Sequence, residues 1–117
     1  MILTATPYRV SFFGGGTDYP EWHREHGGYV LGMAIDHYCY VALKALPPLY
    51  SGVKYRIVYA RVEDRATVTG IEHPAVRGCL QHVGLPDALE IAHMGDLPAR
   101  AGLGASSWFV VGLRHAL

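Results

Sequence analysis

A strand-forming segment that runs directly into three consecutive glycines is the feature that most constrains this fold. Residues 2–13 are rich in Thr, Val, Tyr and Phe, and Gly14, Gly15 and Gly16 follow at once. β-Branched and aromatic residues favour strands, whereas successive glycines let the chain turn and bring its backbone close to another group. The sequence therefore predicts an N-terminal strand that ends in a tight glycine-rich loop.

Turn-forming residues divide the rest of the chain into short helices and strands. Proline early and glycine late predict helices at 19–26 and 74–83, and a buried helix is expected at 108–117. Runs of β-branched and aromatic residues predict strands at 55–61 and 88–94. Residues 29–35 and 37–46 are expected to form two antiparallel strands or one long bent strand, and 63–72 a polar linker with a β-like patch at 66–69. This order predicts one α+β domain over residues 1–117.

Composition and charge exclude several classes of function. The 117 residues are 50% hydrophobic and 17% charged, and ten basic residues balance ten acidic ones. A net charge of zero argues against a general nucleic-acid or anionic-membrane binder. No apolar run approaches the ~18 residues of a membrane span, and no targeting segment is recognisable. We therefore expect a cytoplasmic protein without nucleic-acid or membrane partners, and buried, reduced thiols at Cys39 and Cys79.

A histidine pair offers a metal hypothesis that the sequence supports only weakly. His23 and His26 lie three residues apart and could reach one ion from a helix. No carboxylate or cysteine pattern completes a ligand set. The favoured interpretation is a pair of polar surface histidines beside Trp22.

The segment 102–107 has the composition of a phosphate-binding turn. Glycines and two serines follow a predicted strand and precede a predicted helix. Unpaired backbone N–H groups and the helix dipole favour an anion there, and the hydroxyls can bind phosphate oxygens or Mg²⁺. The Gly-Lys-Ser/Thr ending of a Walker A loop is missing. A serine-capped helix after a glycine turn explains this segment equally well.

The segment 7–19 combines an arginine, a hydroxyl and a carboxylate around the glycine triplet. Arg9, Thr17 and Asp18 are joined there by a backbone that can approach a ligand closely. An ionised carboxylate accepts strong hydrogen bonds from sugar hydroxyls, so the loop suits polyol binding. Taken alone, it is more simply interpreted as a turn in which Asp18 bonds its own backbone.

Together the two segments resemble motifs of the GHMP kinases, the family of galactokinase, homoserine kinase and mevalonate kinase. Residues 7–19 resemble the family's N-terminal motif, and 96–107 its phosphate-binding motif, Pro-x-x-x-Gly-Leu-Gly-Ser-Ser. The glycine triplet before Thr17, the stretch to Trp22 and the segment 35–40 look most like the D-glycero-D-manno-heptose 7-phosphate kinase branch. The resemblance spans nearly the whole chain.

The resemblance implies ATP-dependent phosphoryl transfer to a hydroxyl of a sugar or sugar phosphate, in a ribosomal-protein-S5-domain-2-like α+β fold. Asp18 would contact the sugar, and Arg9 would support catalysis near the transferred phosphate. Ser106 would help to hold Mg²⁺. The expected substrate-binding loop is Gly15, Gly16, Thr17, Asp18 and Tyr19, and the expected ATP-binding loop is Gly102, Leu103, Gly104, Ala105, Ser106 and Ser107. Ala105 departs from the motif, because the family usually has a serine there.

The resemblance also implies that catalytic groups lie beyond residue 117. In the family, the general base, an acidic Mg²⁺ ligand and a third glycine-rich motif follow the phosphate loop, whereas Asp36 and Asp96 are interpreted as structural. The last helix has apolar residues at helical spacing up to Leu117 without a cap. We therefore expect an N-terminal portion, inactive alone, that needs a C-terminal segment or self-associates. The alternatives are a non-catalytic nucleotide or sugar-phosphate binding module and a structural fragment.

Overall fold

The computed structural model describes residues 1–49, 51–84, 88–97 and 105–117, without the side chains of residues 105 and 106. The described residues form five strands, three α-helices and one 3-10 turn at Val68–Gly70. The strands are β1 (Ile2–Phe13), β2 (Leu31–Ala45), β3 (Tyr55–Val58), β4 (Val62–Arg65) and β5 (Leu89–Gly95), and the helices are α1 (Pro20–His26), α2 (Pro74–Val83) and α3 (Ala105–Ala116).

The five strands form one mixed sheet with the order β1-β2-β5-β3-β4. All neighbouring pairs are antiparallel except β3 and β5, which are parallel. The core includes Val41, Ile57, Ile91 and Leu113, and α3 packs on β1, β2 and α2. The predicted α+β class is thereby confirmed.

Helix ends follow the proline and glycine positions of the sequence. Pro20 and Pro74 stand in the first turns of α1 and α2, where a missing N–H costs nothing. Gly27 and Gly84 end these helices with φ values of 69° and 65°, which glycine adopts without steric cost. The predicted helices 19–26 and 74–83 are confirmed to within one residue.

The last helix begins earlier than predicted, at Ala105, and buries its apolar side within this chain. Phe109, Leu113 and Ala116 are all buried, and the rings of Trp108 and Tyr8 pack in a T-shaped arrangement with centroids 4.8 Å apart. The sequence predicts a buried helix that faces a core up to its last residues. That prediction is confirmed for these positions, because they pack against the chain's own sheet and α2.

The predicted polar linker at 63–72 contains the fourth strand. β4 pairs with β3 in a hairpin, and in its turn the Tyr59 N–H donates to the Arg61 carbonyl at 2.9 Å. The strand predicted at 55–61 therefore ends earlier, at Val58. The expected β-like patch at 66–69 is a turn, in which Thr67 accepts from the Gly70 N–H at 3.2 Å. Three of the four residues of β4 are charged, so its sequence resembles a polar linker. The structure shows that one of them, Glu63, is buried.

β1 and β2 extend beyond the rest of the sheet as a two-stranded arm. β2 is one continuous strand, but β5 pairs only with its residues 39–45. In the rest of β2, residues 31–34 and 38 pair with β1 alone, and the glycine loop lies at the tip of this arm. Among the described residues, no helix has the length and apolar character needed to cross a membrane.

Candidate functional site: the glycine loop

Two glycines turn the chain sharply where β1 ends. Gly14 and Gly15 have φ values of 99° and 100°, a conformation that other residues rarely adopt. A Cβ built on Gly14 would lie 2.5 Å from a methyl carbon of Val30 and 2.7 Å from the Tyr29 carbonyl. Position 14 therefore needs glycine both for its conformation and for the close approach to the start of β2.

The hydroxyl of Thr17 occupies the space beside a second glycine. A Cβ on Gly28 would lie 2.8 Å from Thr17 Oγ1. This oxygen is buried and has no hydrogen-bond partner within the described part of the chain. Because leaving a buried hydroxyl unpaired costs free energy, Thr17 Oγ1 is suited to bind a polar group entering the loop.

Two open cavities lie around Thr17 and Gly28, which line both. Their volumes are about 430 and 440 Å³. The first is lined by Gly14, Gly16, Thr17, His26, Gly27, Gly28 and Tyr29, and the second by Thr17, Asp18, His23, Gly28 and Val30. Polar groups of the loop and of α1 therefore surround a space large enough for a small polar molecule.

The structure brings together three of the five residues expected to bind the substrate. Gly16, Thr17 and Asp18 line the cavities, and the Asp18 N–H donates to the Gly15 carbonyl at 3.3 Å in the same turn. Tyr19 is exposed and precedes the first residue of α1. Neither Gly15 nor Tyr19 belongs to the described lining of these cavities.

Arg9 lies apart from this group. It is exposed on β1, paired with Ala34 of β2, and lines neither of the two cavities. A register shift separates it from Pro7 in the pairing with β2. Its predicted role near a transferred phosphate remains a prediction.

Two histidines of α1 line the cavities, and both are exposed, as the favoured surface interpretation predicts. His23 lines the cavity beside Asp18, and His26 lines the other and packs on Trp22 with ring centroids 4.5 Å apart. The sequence signal that could have identified these two histidines is their spacing of three residues on a short predicted helix directly after the loop. Over the described residues, no group of three or more metal-ligating side chains occurs.

Most of the predicted ATP loop lies outside the described residues. Gly102, Leu103 and Gly104 fall there, as do the side chains of Ala105 and Ser106, although both residues begin α3. Ser107 is exposed in the first turn of this helix. The first turn of this 12-residue helix contains no acidic residue, and the expected phosphate binding there stays a prediction.

A buried carboxylate network stabilises the far edge of the sheet. Glu63 accepts hydrogen bonds from the Tyr59 hydroxyl and, at 2.8 Å, from the Glu72 N–H, with Arg61 and Arg65 within 4.0 Å. Burial opposes its ionisation, but these hydrogen bonds and positive charges hold the pKa of Glu63 below its usual value. All of its partners are accounted for within the fold, so we assign this cluster a structural role.

Several solved structures similar to this chain are kinases. It matches a D-glycero-D-manno-heptose 1-phosphate kinase from Bacteroides thetaiotaomicron with a TM-score of 0.74 and 23% identity, over 97% of this chain and 40% of the other. A candidate sugar kinase from Campylobacter jejuni gives 0.69 and 25%, over 97% and 37%. The mevalonate kinase of Methanococcus jannaschii gives 0.67 and 19%, over 98% and 38%.

This chain has the fold of the N-terminal part of the GHMP kinases. The resemblance read from the two motifs is thus confirmed at the level of the fold. The chain spans about two fifths of the length of these structures. Scans of protein-family models and of curated proteins gave no match.

Proposed function

We propose that this chain supplies the acceptor-binding and nucleotide-binding parts of an enzyme that transfers a phosphoryl group from ATP to a hydroxyl of a sugar or sugar phosphate. The observation that carries the proposal is the glycine loop, where Thr17 and Asp18 line open cavities within a fold shared with kinases. Phosphoryl transfer depends mainly on positioning and charge stabilisation, so binding groups of this kind are what such a protein must provide.

The acceptor end of the proposed site is the cavity beside Asp18. Its carboxylate can accept hydrogen bonds from two neighbouring sugar hydroxyls, each worth roughly 1.5 to 3 kcal/mol when one partner is charged. The unpaired Thr17 hydroxyl can donate to a further sugar oxygen. His23 lines the same cavity and can donate a hydrogen bond to a sugar oxygen or accept one from a sugar hydroxyl.

The nucleotide end of the proposed site is the start of α3. Backbone N–H groups of residues 102–107 would bind the phosphates, and Ser106 would contribute its hydroxyl toward Mg²⁺. When bound, Mg-ATP supplies the transferred phosphoryl group and the positive charge that stabilises its transfer. The orientation of α3 is set by its packing on β1 and β2, where the Thr4 hydroxyl donates to the Gly112 carbonyl at 3.0 Å.

The heptose 7-phosphate preference and the supporting role of Arg9 are part of the same proposal. Both derive from the motif resemblance. The similarity in fold to a heptose 1-phosphate kinase is compatible with a preference for a heptose phosphate. We further propose that the 117 residues alone bind ligands without turnover, since the general base of the family follows its phosphate loop.

Calorimetric titration of Asp18 variants tests the acceptor site. Asp18→Asn should weaken binding of heptose 7-phosphate by at least about tenfold, because a neutral amide accepts weaker hydrogen bonds than a carboxylate, while binding of Mg-ATP changes little. Glu21→Gln is the matched control, as it removes a negative charge from the exposed first turn of α1 at a residue outside the described lining of both cavities. Equal losses for both ligands in Asp18→Asn would instead assign Asp18 to the turn.

A further inference from the structure

Tyr8 stands at an irregular point of the pairing between β1 and β2. Pro7 pairs with Tyr38 and Arg9 pairs with Ala34, so the register shifts across Tyr8. Irregularities of this kind bend a strand, redirect a side chain and occur often beside functional sites. The Tyr8 side chain is 3% exposed, whereas Pro7 and Arg9 on either side of it are exposed. A buried aromatic ring therefore marks the shift.

The Tyr8 hydroxyl occupies the space that a side chain at residue 95 would fill. A Cβ built on Gly95 would lie 2.5 Å from the hydroxyl oxygen and 3.8 Å from the ring carbon that carries it. Burial raises the pKa of Tyr8, and the Leu97 backbone acts in the opposite direction, which places it close to the hydroxyl. The hydroxyl end of Tyr8 therefore contacts the chain where β5 ends.

The Tyr8 ring packs on the start of α3. Its partner is Trp108, which is 6% exposed and is the fourth residue of this helix, counted from Ala105. Aromatic pairs in a T-shaped arrangement contribute stability beyond the area that they bury. Residues 98–104 lie outside the described residues, and Tyr8 thus contacts the chain on both sides of them, at Leu97 before and at Trp108 after.

α3 is attached to β1 at two points. The Thr4 hydroxyl donates to the Gly112 carbonyl at 3.0 Å in the second half of the helix, whereas Tyr8 meets Trp108 in the first half. Both Thr4 and Tyr8 are buried, and their spacing along the strand places them on the same face of β1. Loss of the Tyr8 side chain would therefore release the start of α3 while its second half stays attached.

We propose that Tyr8 is a positioning residue for the nucleotide end of the site, because it links the end of β5 to the start of α3 and so fixes the backbone N–H groups that would bind the phosphates. The inference rests on the proposed function, since nucleotide binding is what this position of α3 would serve. Small displacements of binding groups cost much affinity, so groups that hold them matter without touching the ligand.

Calorimetric titration of Tyr8 variants with a non-hydrolysable Mg-ATP analogue tests this role. Tyr8→Leu removes the ring and the hydroxyl and should weaken binding at least about tenfold, because the start of α3 is no longer held. Tyr8→Phe keeps the ring on Trp108 and should bind the analogue at least about threefold more tightly than Tyr8→Leu. The affinity for heptose 7-phosphate should stay unchanged in both variants, since Tyr8 is outside the described lining of the two acceptor cavities.

Ile71→Ala is the matched control for loss of a buried side chain. Ile71 belongs to the same core but follows the 3-10 turn, outside β1, β5 and α3. At a temperature where every variant is folded, Ile71→Ala should bind the analogue like the unsubstituted chain. The proposal is overturned if Tyr8→Leu binds the analogue as tightly as Ile71→Ala does, or if it loses affinity for the sugar phosphate to the same extent.

The fluorescence of Trp108 tests the positioning without any nucleotide. The chain has two tryptophans, so Trp22→Phe leaves Trp108 as the only one. In that background Tyr8→Leu should shift the emission to longer wavelength as the Trp108 ring becomes exposed, whereas Ile71→Ala should not. Unchanged emission in Tyr8→Leu would overturn the proposal. If the emission shifts but the unsubstituted chain does not bind the analogue, the proposed nucleotide site itself is overturned, and with it this role of Tyr8.

Discussion

The carboxylate of Asp96 accepts a hydrogen bond from the backbone N–H of Tyr38 at 2.6 Å, and the Asp96 N–H donates to the Tyr38 carbonyl at 3.1 Å. These two bonds join the residue after β5 to β2, next to the point where β5 stops pairing at Gly95. The structural role inferred for Asp96 from the sequence thus has a specific form: it holds the chain on the sheet before the predicted ATP loop.

Removing the Asp96 carboxylate should loosen this junction. Asp96→Ala leaves the Tyr38 N–H without its side-chain acceptor, and since the site is exposed we expect a loss of only about 0.5–1.5 kcal/mol in the free energy of unfolding. Asp96→Asn keeps a carbonyl acceptor and should recover part of the loss. Urea denaturation measures both, and equal stability of Asp96→Ala and the unsubstituted protein would contradict the role.

Gly28 should not tolerate a side chain. The Cβ of Gly28→Ala would stand 2.8 Å from Thr17 Oγ1, so the loop must shift and we expect a loss of about 1–3 kcal/mol together with weaker sugar binding. Gly78→Ala is the control, because it meets nothing within 4 Å inside α2 and should raise stability by about 0.5–1 kcal/mol. Chemical denaturation of the two variants checks whether their effects have opposite signs.

Two partly buried histidines should make stability depend on pH. His73 and His93 pack on Phe109 with ring centroids at 5.1 and 4.8 Å, and burial lowers the pKa of each below the usual 6.5. Glu63 opposes the shift at His73 without reversing it. The unfolded chain therefore binds protons more readily than the folded chain. The free energy of unfolding should reach its full value above about pH 6.5 and fall as the pH drops below that value.

Replacing the capping histidine should reduce this pH dependence. His73 Nδ1 accepts from the Val76 N–H at 3.4 Å, which a protonated ring could not do. Asparagine is a good N-cap and does not titrate, so His73→Asn should flatten the stability profile between pH 8 and 5.5. His82→Asn, at an exposed position of the same helix, is the control. An unchanged slope in His73→Asn would contradict the assignment.

The predicted nucleotide site is tested by adding bulk to its glycine turn. Gly104→Val should abolish Mg-ATP binding, since close backbone approach to the phosphates is then blocked, while circular dichroism shows the fold retained. Gly78→Val makes the same substitution on α2 and should leave the affinity unchanged. Undiminished affinity in Gly104→Val, measured by calorimetry, would remove this turn from the proposed site.

Local signals predicted most of the fold because they act over a few residues. Proline and glycine positions located α1 and α2, and runs of β-branched and aromatic residues located β1 and β5 closely. β4 escaped prediction because its pairing with β3 and the ion pairs around Glu63 depend on residues brought together only by folding. The choice between one and two strands at 29–46 likewise depended on the sheet, which keeps β2 continuous.

The glycine loop could be located from sequence, but its full set of neighbours could not. The triplet and Asp18 marked the turn, since glycine conformation is a local property. His23 and His26 join the cavities because α1 folds back beside the loop, which places Gly28 against Thr17. The sequence shows their helical spacing, but only the three-dimensional contact shows which side of α1 meets the loop.

Thermal denaturation with paired ligands tests the central claim most directly. A ligand that binds only the folded chain raises Tm, so heptose 7-phosphate and a non-hydrolysable Mg-ATP analogue should each raise it, and the two together should raise it further. Asp18→Asn should lose the response to the sugar phosphate and keep the response to the nucleotide analogue. If no sugar or sugar phosphate in a broad panel shifts Tm, with or without the nucleotide analogue, the proposed acceptor site is contradicted.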